Sequence, residues 1–350
     1  MPLAELRIAN LRCIEAAELE FSPELNLIAG ENGAGKTSIL EAVFLLGRGR
    51  SFRTRNSEKL IRHGQHSLTV FGATDASPRA VGGVEVTRDG TRARIDGKDA
   101  DSLLALSRVL PVQSIDPDIH KLIDQGPERR RRWLDWLVFH VEPTFMMHWV
   151  RYQRALKQRN AALKAGGDAS VWDLALVEHG SAMTEARRAA LTRLENYLQA
   201  LFEAFSGLEI TATFFTGWSQ EHSFADALRD SITRDRDRGM TSLGPHRADV
   251  ILRTKGRSAR ETLSRGQQKL TAVAMIVSQL KLLRAELAMS AVLLLDDPAA
   301  ELDDKNLRRL FEELSSLHCQ MIATSLKSEI PFFQAPKSTF HVEQGRVLRV

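Results

Sequence analysis

The sequence predicts an α/β protein in which a mixed sheet with a β-meander is interrupted by an inserted helical arm. Three observations lead there. Strand patterns stand towards both ends of the chain, a charged and helically periodic region lies between them, and motifs of one anion site are divided between the two ends. The 350 residues allow two or three domains, and 43% hydrophobic with 26% charged residues is the balance of a globular protein. A formal net charge of +4 fits a nucleotide or nucleic-acid partner without selecting one.

The elements follow in order. Leu6, Ile8, Leu19 and Phe21 sit in short alternating runs, and residues 25–29 lead into a Gly-rich turn. Ile39, Leu40, Val43, Phe44 and Leu46 give a helix. Residues 68–96 read as the meander, with turns at Asp89-Gly90 and Asp96-Gly97. From 128 to 206 the pattern is helical, broken at Gly166-Gly167-Asp168 and ended by Gly207. Leu191, Leu194, Leu198, Leu201, Phe202 and Phe205 form one apolar stripe. Strands return at 208–214, 250–252, 291–295 and 321–323, with a helix after Ser264. The expected division is a head at 1–115, an arm at 116–206 and the rest of the head at 207–350. Cys13 and Cys319, far apart, exclude a disulfide framework and a four-cysteine zinc site. The first residues lack a secretory pattern, and no apolar run reaches the ~18 residues of a membrane span. The expected location is the cytoplasm, with no membrane partner.

Gly30-Glu31-Asn32-Gly33-Ala34-Gly35-Lys36-Thr37, followed by Ser38, fits G-x-x-x-x-G-K-[ST] between a strand and a helix. Glycines let backbone N–H groups close on phosphates, Lys36 supplies a point charge, and the Thr37 hydroxyl suits Mg²⁺. The helix directs its positive end at the anion. Residues 291–295 form a buried strand that ends in Asp296-Asp297. Two adjacent carboxylates there call for a cation. Asp296 is the expected Mg²⁺ ligand, and Asp297 the group that positions or polarises the attacking water.

Leu263-Ser264-Arg265-Gly266-Gln267-Gln268-Lys269 resembles the ABC signature L-S-x-G-Q and precedes the acidic strand by one helix. The Ser264 hydroxyl, the open backbone at Gly266, Gln267 and a helix start make a second anion site. In ABC-type ATPases this site reaches a γ-phosphate only on another copy, so Ser264 would act in trans within an ATP-dependent homodimer. Glu301-Leu302-Asp303 fits the loop that crosses such an interface. Gln113, after Leu110-Pro111-Val112, fits the glutamine that senses Mg²⁺. Where a switch histidine is usual, Thr324-Ser325 stands. Asp297, one methylene shorter than the usual Glu, predicts slow hydrolysis.

Taken together the segments resemble an ABC-type P-loop ATPase head with an inserted arm, and along nearly its whole length the chain resembles the RecF family. Ser51-Phe52-Arg53-Thr54 carries the likeness. So do Pro117-Asp118 with Leu122-Ile123, Gly126-Pro127 and 130–135, and Gly244-Pro245-His246-Arg247-Ala248-Asp249. Gln125 stands where the family usually has Gly, and Trp133 where it has Phe or Tyr. The resemblance implies ATP-dependent binding to DNA at gaps or junctions between single and double strands. It also implies help in loading RecA recombinase with RecO and RecR. Candidate phosphate-binding clusters are Arg48, Arg50, Arg53 and Arg55; Arg129 to Arg132; and Arg151, Arg154, Lys157 and Arg159. No base-reading motif is present, so backbone recognition is expected. Arg12 is a candidate for the adenine; His246 and Arg247 are candidates for structure or nucleotide contact. The cradle alone also fits a small-molecule phosphotransferase, which leaves 263–269 unexplained. A transporter ATPase subunit would hold cradle and signature much closer together.

Overall fold

The structure, a computed structural model, describes residues 2–350 except Arg55, Ser77, Asp101, Ser328, Gln334 and the side chain of Glu301. Arg55 of the first basic cluster and the Glu301 side chain therefore lie outside the described residues. Along the chain run β1 (Leu3–Leu11), β2 (Ile14–Glu20), β3 (Leu25–Gly30), α1 (Lys36–Arg48), β4 (Ser67–Thr74), β5 (Val81–Thr87), β6 (Gly90–Ile95), β7 (Lys98–Asp99), α2 (Leu106–Val109) and β8 (Val112–Ile115). Next come α3 (Lys121–Asp124), α4 (Pro127–Val141), α5 (Phe145–Lys164), α6 (Asp173–Ser206), β9 (Thr211–Phe215), α7 (Phe224–Asp230), α8 (Ile232–Arg238), β10 (Asp249–Thr254), β11 (Arg257–Ser258), α9 (Ala259–Thr262) and α10 (Arg265–Leu287). The last are β12 (Val292–Leu295), α11 (Pro298–Glu301), α12 (Asp304–Ser315), β13 (Met321–Ser325), β14 (Ser338–Glu343) and β15 (Arg346–Arg349). Residues 1–119 with 284–350 form one compact unit, and 120–283 the other.

The first unit has two sheets. One is antiparallel, in the order β2-β1-β4-β5-β6-β7. The other runs β15-β14-β3-β13-β12-β8, parallel except at β15. Helix α1 packs against β1, β4 and β5 of the first and β3, β8 and β13 of the second. Its residues from Ser38 to Gly47 are all buried, as a helix between two layers requires. Gly47 admits that contact: a Cβ there would lie 2.4 Å from the Val112 side chain. Leu6, Ile8, Val43, Leu46, Val70, Val112 and Leu294 belong to the resulting core.

In the second unit the apolar stripe of α6 is buried as expected, and Gly207 ends the helix with φ +64°. The Gly166-Gly167-Asp168 break falls between α5 and α6. The strand expected from 208 starts at Thr211. The expected arm boundary at 206 differs from the observed unit, which continues to Leu283. The reason is packing: α6 lies against β9 and α7, and α4 against β10.

This unit is tied by arginines. Arg187 grips Asp135 through two bonds of 2.7 and 2.9 Å and donates to the Pro245 carbonyl at 2.8 Å. Arg130 pairs bidentately with Asp249 at 2.8 and 2.9 Å, and Arg131 donates to the Ala248 carbonyl at 2.6 Å. Arg129 bonds Gln125, and Arg132 pairs with Glu128. The cluster at 129–132, a candidate for DNA phosphates, thus largely holds the 244–249 turn and its own helix. Arg159, also a candidate, is fully buried between Asp173 (2.8 Å), Asp235 (2.7 Å) and Thr241 (2.9 Å). Gln125 has φ −86°, open to any side chain, so the missing glycine costs nothing. The Trp133 indole donates to the Met275 carbonyl at 3.1 Å.

His246 is fixed by its neighbours. Nε2 lies 3.1 Å from the Thr241 carbonyl, which can only accept, so Nε2 carries the proton. Nδ1 then accepts from the Tyr152 hydroxyl at 2.7 Å. Burial drives His246 down to about 4, with Arg247 and Arg131 adding to the drop. The ring is a structural strut; Arg247 is exposed.

Replacing Arg159 by Ala strands the fully buried Asp235 carboxylate. Urea unfolding should show a loss of about 3–5 kcal/mol, whereas Arg154→Ala on the surface should stay within about 0.5 kcal/mol. A second expectation concerns pH. Between the ordinary 6.5 of His246 and its folded value of about 4, the unfolded chain binds a proton that the folded chain does not. Stability should fall as pH drops through that window, by up to about 1.4 kcal/mol per unit. In His246→Asn, measured by denaturant titration at each pH, that share of the slope should vanish.

Candidate functional site

The parallel sheet sets up the site. Ser325 of β13 lies level with Ala29 of β3, and Leu295 of β12 level with Ala323 and with Ile115 of β8. The C-terminal ends of four strands therefore open onto one edge, where α/β proteins bind ligands. Residues 31–33 and 35–38 line a cleft of 570 Å³ there, with Asp296, Asp297 and Thr324. Gly30 and Ala34 stand behind it. A Cβ on Gly30 would lie 2.3 Å from the Val342 carbonyl oxygen of β14, so strand packing demands glycine here. Gly35 has φ +117°, which only glycine adopts readily.

Lys36 donates from Nζ to the carbonyls of Gly30 (2.7 Å) and Glu31 (2.9 Å). Burial lowers its pKa, and the charges of Asp297 and Asp296 oppose that fall. The Thr37 hydroxyl donates to Asp296 at 3.0 and 3.2 Å. Cradle and acidic strand are thus one constellation, as the sequence predicts. Asp297 has φ +48°, a left-handed backbone that Asp tolerates better than most residues.

Thr324 has a role that the sequence alone did not suggest. Its hydroxyl donates to Asp296 at 2.8 Å and accepts from the Asp297 backbone N–H at 2.9 Å. It fixes both acids from β13, at the place where a histidine was expected. Another unforeseen residue is Glu41, fully buried on α1. It holds the Arg12 guanidinium at 2.5 and 3.0 Å and accepts from the Ser51 hydroxyl. Ser51 in turn accepts the backbone N–H groups of Arg53 and Thr54, each at 3.0 Å. The chain Arg12–Glu41–Ser51 sets the loop whose Phe52 and Arg53 line the cleft. Arg12 lines it too, with its guanidinium bound to Glu41. An acid within an otherwise apolar helix was the available signal.

One expectation needs correction. Gln113 does not line the cleft. It is buried on β8 level with Leu293, three residues before Asp296, about 10 Å back along the strand. Asp116 and Asp118, past the end of β8, line the cleft in its place. Asp303, expected at an interface between copies, is exposed and stands outside this chain's own cleft. Its carboxylate caps α12, accepting from Asn306 N at 2.9 Å and Nδ2 at 2.8 Å, which keeps its pKa low.

Ser264, Gly266 and Gln267 belong to the 120–283 unit. Ser264 N donates to the Gln267 side-chain oxygen at 3.0 Å, and Gln267 N to the Ser264 hydroxyl at 3.3 Å. That reciprocal pair is a capping box at the start of α10. Ser264 and Gly266 are exposed, and nothing lies within 4 Å of the place a Cβ on Gly266 would take.

Thr37 and Asp296 bring only oxygens together, and no group of three or more His, Cys, Asp or Glu suited to a metal occurs among the described residues. That donor set fits Mg²⁺, which takes one or two protein oxygens and fills its shell with water and phosphate. No helix of the described residues is long and apolar enough to cross a membrane.

A family profile described as the RecF/RecN/SMC N terminal domain matches residues 2–346. The DNA replication and repair protein RecF of Pseudomonas syringae pv. syringae (strain B728a) is 38% identical over 359 aligned positions, covering 99% of this chain and 98% of that protein. The solved structure of the recombination mediator protein RecF-ATP in the RecFOR pathway aligns with a TM-score of 0.90 at 26% identity, over 99% of this chain and 97% of that one. An SMC head bound to the C-terminal winged-helix domain of ScpA aligns with a TM-score of 0.60 at 16% identity, over 100% and 98%, and shares the fold alone. The mixed α/β head, the phosphate cradle joined to an acidic strand and these likenesses agree, and the chain belongs to the RecF family of DNA replication and repair proteins.

Proposed function

We propose that the chain is an ATP-gated DNA-binding protein of recombinational repair, and that two copies close on ATP to bind DNA. The observation that carries this is the single constellation of Lys36, Thr37 and Asp296 in the cleft, on a chain that aligns end to end with a RecF–ATP structure. The loop N–H groups and Lys36 hold the phosphates. Mg²⁺, when bound by Thr37 and Asp296, offsets charge on the β- and γ-phosphates. Asp297 orients the attacking water and accepts its proton. Its short side chain on a left-handed backbone favours slow turnover, so ATP serves as a clamp that hydrolysis later opens. Bound DNA stimulates this step.

The exposed start of α10, with Ser264, Gly266 and Gln267, is the half-site each copy lends to its partner's γ-phosphate. ATP then acts through its greater affinity for the dimer. DNA is held at gaps or junctions by its backbone, without sequence preference, and RecR and RecO join there to help load RecA.

Sedimentation with and without ATP and gapped DNA tests the reading. Wild type should dimerise on ATP and carry DNA. Lys36→Ala should lose ATP binding. Ser264→Arg should bind ATP normally yet stay monomeric; a Ser264→Arg protein that dimerises on ATP would remove the trans half-site from the scheme.

A further inference from the structure

Helix α5 carries five cations and no acid. At 100° per residue, Arg159 falls on one side, buried with Asp173 and Asp235, and Arg151, Arg154, Lys157 and Lys164 fall on the other. All four are exposed. None makes an ion pair or side-chain hydrogen bond among the described residues, in contrast with Arg129 to Arg132. The row continues on α8. Thr241 donates to the Asn160 side-chain oxygen at 2.8 and 2.7 Å, and a Cβ on Gly239 would lie 3.2 Å from Lys164. These contacts hold the end of α8, with exposed Arg236 and Arg238, against the end of α5.

Two of the nearby acids are neutralised by Arg159. Asp173 and Asp235 hold Arg159, while Asp168, bonded to Ser170 at 2.9 and 2.6 Å, keeps its charge within reach of Arg236. Asp237 is the one remaining exposed acid of α8. From Arg151 to Lys164 the helix advances about 20 Å, over which duplex DNA presents a charge about every 1.7 Å. Long, flexible side chains of one sign suit such a regular polyanion, and they position a backbone without reading bases.

We infer that the Arg151–Arg154–Lys157–Lys164 row, extended by Arg236 and Arg238, is the track on which the DNA phosphodiester backbone lies. The inference rests on the DNA-binding reading above and assigns it a surface. It accounts for why α5 excludes acids while α4, whose arginines work internally, contains Glu128 and Asp135.

The test is fluorescence anisotropy of the full-length chain with ATP and a gapped duplex, over a KCl series. The triple variant Arg151→Ala/Arg154→Ala/Lys157→Ala is compared with wild type and with Arg92→Ala/Lys98→Ala, a pair of exposed cations on β6 and β7. ATP binding and thermal unfolding should be unchanged in both variants. For wild type, log K should fall linearly with log salt. In the triple variant the slope should shrink by about 0.9 for each phosphate no longer neutralised, with affinity down about ten-fold or more near 0.1 M salt. The control pair should match wild type. A triple variant with the wild-type slope and affinity overturns the track, as does a loss confined to the control pair. A triple variant that keeps DNA but loses binding to an acidic peptide also overturns it. Wild type that binds no DNA at any salt removes the DNA reading itself, a result distinct from the other three.

Discussion

The hydrogen bond from Thr37 to Asp296 joins residues 259 positions apart and closes the phosphate cradle onto the acidic strand. It depends on β13 lying in parallel between β3 and β12. Two steps of register then place the Thr324 hydroxyl against both carboxylates. A slip of one residue on either side of β13 would turn Thr324 to the opposite face and leave Asp296 and Asp297 without their common partner. The run Val292–Leu295, apolar and buried at every position, would tolerate such a slip, so the polar contacts at its end discriminate the register.

The second unit uses charge differently. Arg130, Arg159 and Arg187 each form paired, hydrogen-bonded contacts with carboxylates, and two of them are almost wholly shielded from water. Such pairs add little net stability over apolar packing but punish any arrangement that separates the partners. Arg130 and Arg187 therefore select one geometry for the turn at 244–249, and Arg159 does the same for Asp173, Asp235 and Thr241. The mild net positive charge of the chain is a poor guide to its surface, because several arginines never reach it.

How much could be read from the sequence follows from the range of each interaction. The phosphate cradle, the capped start of α10 and the Asp296-Asp297 strand end were legible because their chemistry sits within a few consecutive residues. The meander and the α6 stripe were legible from periodicity. Arg130 and Arg187 were not, since their carboxylates come from 119 and 52 residues away. Gln113 was misplaced because spacing to a motif does not reveal how far back along a strand a residue lies. Thr324 stands in the sequence only as the absence of a histidine, because its bonds to Asp296 and Asp297 form between strands. The boundary drawn at 206 followed a change of pattern, while the packing of β9 and β10 on the helices ignores that change.

The turn between β14 and β15 presses into the first unit at its most sensitive point. Gly345 N donates to the Ala34 carbonyl at 2.8 Å, and a Cβ on Gly345 would strike the Cys13 carbonyl at 2.3 Å. With Val342 against Gly30, the rear wall of the phosphate loop is built from a hairpin that follows it by some way in the sequence. A chain that stops before residue 338 lacks both the hydrogen bond to Ala34 and the strand that packs on Gly30, so its phosphate loop has no rear wall to hold its shape.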